Sequence, residues 1–193
     1  QEINEIVYQK PEVGESINVP VIVYHSIRPS YPEESASIKQ FTTEPVIFEQ
    51  ELLFLQERGY ATISFDDVLA YFDKGKPLPK KSVILTFDDG WENQYNYAFP
   101  LLKKYSMTGT FFIFTNAIGH KNFMSWDQIK ELDKAGMTIG GHSKTHPYLT
   151  KITDPEKLAV EISNSKNTIE EHIGKPITAF AYPFGLYNEQ TIE

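Results

Sequence analysis

Ser82-Val83-Ile84-Leu85-Thr86-Phe87-Asp88-Asp89-Gly90-Trp91 decides the reading of this chain. Its first six residues are uncharged and rich in β-branched and apolar side chains, which predicts a strand buried on both faces. Two carboxylates and a glycine follow, so the acids stand where a strand ends and a turn begins. In parallel α/β folds that carboxyl edge is where ligands bind. Two adjacent carboxylates repel each other if both stay ionised, unless a cation relieves them. A turn that merely favours Asp and Gly is the plain alternative.

Outward from this stretch, short apolar runs alternate with amphipathic ones, the pattern of a βα-repeating fold with a mainly parallel sheet. Strands are predicted over 20–25, 61–64, 82–87, 109–114, 137–140 and 177–182, all nearly continuous in hydrophobicity. Helices are predicted over 46–58, 65–72 and 92–105, with 28–45 as a long surface loop. Ser125-Trp126-Asp127-Gln128 reads as a capping box opening a helix that Gly136 stops. Asp154-Pro155 caps the longest helix, in which Leu158, Ile162, Ile169 and Ile173 recur at helical spacing as far as Gly174. Six strands cannot close the usual eight-stranded barrel. Either the sheet is open or more protein normally follows.

The chain has 193 residues, 40% of them hydrophobic and 13% aromatic, enough for a sizeable core and about the length of one compact domain. Lys+Arg 18 against Asp+Glu 26 gives a net charge of −8. That balance excludes a phosphate-backbone binder and so argues against nucleic acid as partner. With no cysteine, any metal must be held by His, Asp or Glu. The longest apolar stretches, such as Thr110-Phe111-Phe112-Ile113-Phe114, are far too short for a transmembrane segment. The sequence opens on Gln1 without a charged-then-apolar leader, which raises the expectation that a signal or anchor segment has been removed. No oligomeric state is assigned by the sequence.

Three further constellations follow apolar runs. Gly140-Gly141-His142-Ser143-Lys144-Thr145-His146-Pro147 sets two imidazoles four residues apart, able to reach one ion from a tight loop, and imidazole suits Zn, Co, Ni or Fe(II). Two His and one carboxylate plus water make an open, catalytic site rather than a closed structural one. Pro20-Val21-Ile22-Val23-Tyr24-His25 ends an apolar run in a histidine, and Ala181-Tyr182-Pro183-Phe184-Gly185 forms a turn with a backbone N–H to offer. Each of these is unremarkable alone. Their shared placement past strand ends is what singles them out. His120 reads as loop and His172 as a helix C-terminal residue.

Thr86–Gly90, His142–His146 and Ala181–Gly185 resemble the first three motifs of the polysaccharide deacetylases, carbohydrate esterase family four with the NodB homology domain. The similarity is nearest to the poly-β-1,6-N-acetylglucosamine N-deacetylases of biofilm systems. It includes Tyr24-His25, the Arg58-Gly59-Tyr60 segment, Ala98–Tyr105 and the Ala-Tyr-Pro-aromatic-Gly turn, over about Val19 to Asn188. Ala181 stands where many members have Arg, although the biofilm subgroup commonly has Ala there too, and the fourth motif has no counterpart here.

The resemblance implies an α/β fold, a distorted (β/α) barrel of the NodB type, incomplete at its C-terminal end. Residues 1–18 would be an N-terminal extension and 19–193 the deacetylase domain. It implies that Asp89, His142 and His146 bind a divalent metal, zinc first and Co, Ni or Fe as alternatives. By the same resemblance Asp88 is the general base, His25 the general acid, and the Phe184 backbone N–H part of the oxyanion site. The implied substrate is an N-acetylated polysaccharide, most of all poly-β-1,6-GlcNAc, with peptidoglycan, chitin or xylan deacetylation or non-catalytic carbohydrate binding as alternatives. The implied location is extracellular, cell-surface or periplasmic. Trp91, Trp126, Tyr148 and Tyr182 are candidate sugar-stacking faces.

Overall fold

In a computed structural model of the chain, residues 6–12 and 16–192 are described. Residues 1–5 and 13–15 of the expected N-terminal extension, and Glu193, lie outside the described residues. The chain forms two compact units, one of residues 1–87 and 93–110, the other of 88–92 and 111–193.

The first unit holds β1 (Tyr8–Gln9), β2 (Val21–Tyr24), β3 (Ser26–Ile27), β4 (Thr42–Thr43), β5 (Ala61–Thr62), β6 (Leu78–Pro79) and β7 (Ser82–Phe87). Its helices are α1 (Ala36–Lys39), α2 (Pro45–Glu57), α3 (Phe65–Lys74) and α4 (Phe99–Lys104). β7 is buried along its whole length and pairs in parallel with β2 on one side, Val21 opposite Ile84, and with β5 on the other, Ala61 opposite Ser82. The expected burial of β2 on both faces does not hold: Val21 and Val23 are exposed while Tyr24 is buried. Within this unit β2 lies at the edge of the parallel set, and one face of an edge strand can stay wet.

Tyr24, Phe48 and Phe87 pack ring against ring at 5.0 to 5.8 Å, and Leu52, Leu85, Phe99 and Leu102 are fully buried in the same unit. Burying side chains of this size stabilises by about 1.5–3 kcal/mol each. α3 is opened by a capping box in which Ser64 and Asp67 satisfy each other's backbone N–H, and is closed by Gly75 at φ 66°.

Two expectations for this unit change. The predicted helix over 92–105 is a π-helical turn, Gln94–Ala98, running into α4. Pro100 has no N–H to give to Asn96, and the Phe99 N–H reaches back to the Gln94 carbonyl instead. The predicted loop 28–45 contains α1 and β4, the latter paired in parallel with β3. An Arg28–Glu34 ion pair of 2.7 Å braces it internally.

The second unit holds β8 (Thr110–Ile113, from Phe111 on), α5 (Trp126–Lys134), β9 (Thr138–Gly141), α6 (Pro155–Ile173) and α7 (Glu189–Ile192). The Ser125–Gln128 capping box forms as predicted. Asp154 accepts from the N–H groups of Glu156 and Lys157 at the start of α6, and Gly174 at φ 76° ends it. Phe111, Ile113, Met124, Ile129, Leu132, Leu149 and Ile169 are buried together in its core.

β8 and β9 are neighbours, joined at their ends by His142 N–H to Ile113 C=O, 2.9 Å. The predicted strand 177–182 is not regular. It meets β9 through one parallel bridge, Gly141 to Phe180. Pro176 and Pro183 bracket it, and the Ile177 N–H is taken by Glu170 Oε1 at 2.9 Å, so a longer ladder lacks its donors. In neither unit do the described strands close on themselves.

Candidate active site

Asp88, Asp89, His142, His146 and Phe184 all belong to the second unit, whereas His25 belongs to the first. The turn after β7 puts Asp89 at φ 76° and Gly90 at φ 77°. Gly90 is required there, because a Cβ would meet Ile113 Cδ1 at 3.2 Å in a backbone conformation that side chains disfavour. The turn is pinned to the 122–124 segment: Met124 N–H donates to Gly90 C=O at 3.0 Å, Glu92 N–H to Asn122 C=O at 2.8 Å, and the Trp91 and Phe123 rings stack at 4.3 Å. The Trp91 indole N–H donates to Asp89 Oδ2 at 3.0 Å. One carboxylate oxygen is thereby held, and Asp89 Oδ1 faces the histidines.

His142 is 2% exposed at the end of β9, and its Nδ1 lies 2.7 Å from the Ala181 carbonyl oxygen. A carbonyl only accepts, so Nδ1 carries the proton and Nε2 presents its lone pair. Position 181 thus acts here through its backbone carbonyl. His146 is turned in by a left-handed residue on each side of the loop, Ser143 at φ 67° and itself at φ 58°.

Asp89 Oδ1 lies 3.6 Å from His142 Nε2 and 3.4 Å from His146 Nε2, and the two Nε2 atoms are 3.2 Å apart. Four-coordinate tetrahedral binding with bonds of about 2.0–2.1 Å sets ligand atoms about 3.3 Å apart, so one carboxylate oxygen and two imidazole nitrogens fit a single ion. Among the described residues these three form a group able to hold a metal. Asp88 is the group beside them that can move a proton: burial first, and the Asp89 charge next, push its carboxyl up to about 7.

Phe184 sits at φ 60° in the 3₁₀ turn Pro183–Gly185, with its ring against His146 at 4.7 Å and stacked on Tyr148 at 4.1 Å. Of the aromatics predicted as sugar faces, Trp91 gives a ring face to Phe123 and Trp126 one to His172, at 3.8 Å. Tyr148 and Phe184 are the more exposed pair. In the first unit, His25 follows β2, its carbonyl accepts from Gln94 Nε2 at 2.7 Å, and its ring lies 5.0 Å from Phe41. Asn93 holds the next residues, bonding Ile27 N–H and Ser26 Oγ, both at 2.9 Å. The roles of Trp91, Asn93 and Gln94 were not read from the sequence. For Trp91 the two-residue spacing from Asp89 was the available signal.

The polysaccharide deacetylase family model matches residues 75–193. YxkH of Bacillus subtilis (strain 168), described only as a candidate polysaccharide deacetylase, is 31% identical over 175 residues, which cover 91% of this chain and 60% of that protein. The poly-β-1,6-N-acetyl-D-glucosamine N-deacetylase of Staphylococcus aureus (strain MRSA252) is 28% identical over 190 residues, covering 88% of this chain and 65% of that one. The chain therefore spans 60 to 65% of the length of these curated relatives. Among solved structures, the Streptococcus pyogenes deacetylase PplD in complex with acetate superposes with a TM-score of 0.82 at 31% identity, over 90% of this chain and 77% of that one. The fold is thus α/β of the NodB type.

Proposed function

The chain belongs to the polysaccharide deacetylase family, and from that premise we propose that it is a metal-dependent N-deacetylase. Its substrate in this proposal is a β-linked N-acetylglucosamine polysaccharide, poly-β-1,6-GlcNAc before others, from which it releases acetate. The observation that carries the reading is the triangle of Asp89 Oδ1, His142 Nε2 and His146 Nε2, with a carboxyl poised near neutrality beside it.

A divalent ion held by these three, zinc above all, would polarise the acetyl carbonyl and make water a nucleophile at neutral pH. Asp88 takes the proton of the attacking water as general base, a task for a buried carboxyl beside the ligands. The Phe184 N–H stabilises negative charge developing on the acetyl oxygen. His25, carried over from the family resemblance, protonates the departing amine, which is a poor leaving group otherwise. The choice of β-1,6-linked polymer rests on the Staphylococcus aureus relative and on the motif likeness. Such a polymer lies outside the cytoplasm, and the protein is placed there with it. No helix among the described residues is long and apolar enough to cross a membrane.

The test joins elemental analysis of purified protein to acetate release from β-1,6- and β-1,4-linked N-acetylglucosamine oligomers. Wild type is expected to carry about one divalent ion and to deacetylate the β-1,6 series. Asp88→Asn should keep the ion and lose nearly all turnover, and His25→Ala should lose turnover with the ion retained. Activity confined to β-1,4 oligomers would replace the substrate assignment. Polymer binding with neither ion nor acetate would make the chain a carbohydrate-binding homologue. Equal loss of ion and turnover in Asp88→Asn would mean that Asp88, not Asp89 alone, is a ligand.

A further inference from the structure

The loop between His142 and His146 carries two of the three donor atoms and has no regular structure of its own. Ser143 and His146 are both left-handed, a conformation that residues with a Cβ hold only when their surroundings impose it. Part of the restraint is local. Ser143 Oγ accepts from His146 N–H at 3.0 Å, and the N–H groups of Thr115 and Asn116 donate to the carbonyls of Ser143 and Lys144 at 3.2 and 2.9 Å.

The rest comes from one side chain on α6. Glu161 Oε2 accepts from the backbone N–H groups of Lys144 and Thr145, at 3.1 and 2.8 Å, and Glu161 Oε1 accepts from the Thr145 hydroxyl at 2.8 Å. Both oxygens of one carboxylate are therefore spent on the two residues midway between the histidines. Helix α6 is itself fixed by its Asp154 cap and the buried Leu158 and Ile169, so the anchor point is rigid.

We infer that Glu161 is the positioning residue of the histidine loop, setting where the His142 and His146 Nε2 atoms converge without touching ion or substrate. The inference rests on the metal reading above. It goes further in assigning the affinity of the site to a helix residue that contributes no ligand atom.

Its test is the affinity of the metal-free protein for Zn²⁺, measured by competition with a chromogenic chelator, together with melting temperatures with and without Zn²⁺. Losing a partner of this kind typically weakens metal binding about 10–100-fold, which is the range expected for Glu161→Ala. Glu161→Asp keeps the charge but is one methylene short of the loop, and should weaken binding about tenfold. Glu161→Gln keeps an oxygen for the two N–H groups and an amide that the Thr145 hydroxyl can meet, so it should bind within a few-fold of wild type.

Wild-type affinity in Glu161→Ala or Glu161→Asp, even with a lowered melting temperature, would make the residue merely structural and overturn the inference. So would the reverse order, Asp unaffected and Gln weak, because the effect would then be charge rather than position. A wild-type protein that binds no Zn²⁺ would sink the metal reading and this inference together, whereas binding that is unchanged by the variants sinks this inference alone.

Discussion

Replacing Asp88 with Asn should stabilise the metal-free protein, and increasingly so as pH rises. The Asp88 carboxyl is held up to about 7 against an ordinary value of 3.8, by burial first and the Asp89 charge second. For a group raised in the folded state, its contribution to stability is fully present below the unfolded value and is lost as pH climbs to the folded one. Between pH 4 and 7 the unfolded chain has released this proton and the folded chain has not. Stability therefore falls by about 1.4 kcal/mol per pH unit on this account. Taken to its end the penalty is on the order of 4 kcal/mol, of which about 3 kcal/mol accrues between pH 5 and 7.

Asparagine keeps the shape and carries no charge, so the variant escapes that slope. For a chain of this length about 1 kcal/mol corresponds to roughly 2–4 °C in melting temperature. The gap between Asp88→Asn and wild type should therefore widen by on the order of 5–10 °C from pH 5 to 8 and then level off. The assay is thermal unfolding of chelator-treated protein at constant ionic strength, because the difference between the two proteins cancels every titrating group not coupled to Asp88. Melting curves that stay parallel across this range would refute the buried, proton-holding Asp88, and a gap that narrows would mean its carboxyl is stabilised as an anion. Saturating Zn²⁺ should shrink the gap, since a cation at Asp89 removes the like-charge part of the penalty.

Gly140→Ala places a Cβ 2.6 Å from two Phe112 ring atoms and 3.0 Å from the Ala179 carbonyl oxygen. The ring can shift but the backbone oxygen cannot, so a loss of about 1–3 kcal/mol is expected in denaturant unfolding. Trp91→Phe keeps a ring to stack on Phe123 and removes the N–H that holds Asp89 Oδ2. It should weaken Zn²⁺ binding about tenfold or more in chelator competition while leaving circular dichroism unchanged.

What was legible in the sequence was what spacing along the chain decides. β7, the Ser125–Gln128 box and the helix from Pro155 to Gly174 are each set by residues within a few positions of one another. The candidate ligand set was legible through residue chemistry, a carboxylate pair and two imidazoles at strand ends having few other common uses, and through the family resemblance, which singled out Asp89, His142 and His146. What stayed hidden was tertiary. Nothing near Val21 and Val23 says that their strand lies at an edge. Nothing near Ile177 says that Glu170 takes its N–H. The π-turn depends on Pro100, whose effect on a helix start is usually benign, and here becomes a register shift because the turn begins six residues earlier.

The backbone of the site was hidden for a different reason, and that reason bears on function. Among the described residues six that are not glycine have positive φ, and four of them are Asp89, Ser143, His146 and Phe184. At about 1–3 kcal/mol each, the strain they hold approaches the whole margin by which a domain is stable. Glycine at any of the four would relieve it, yet would remove the carboxylate, the imidazole, the ring, or the hydroxyl that accepts from His146. The conformation persists because neighbours impose it: Trp91 on Asp89, the Ser143–His146 bond and Glu161 on the histidine loop, Tyr148 on the Phe184 ring. A sequence reader looks for glycine where the chain must turn left-handed, and so passes over these positions. The clustering of that mismatch in one place is the physical reason to read them as a site rather than as four separate turns.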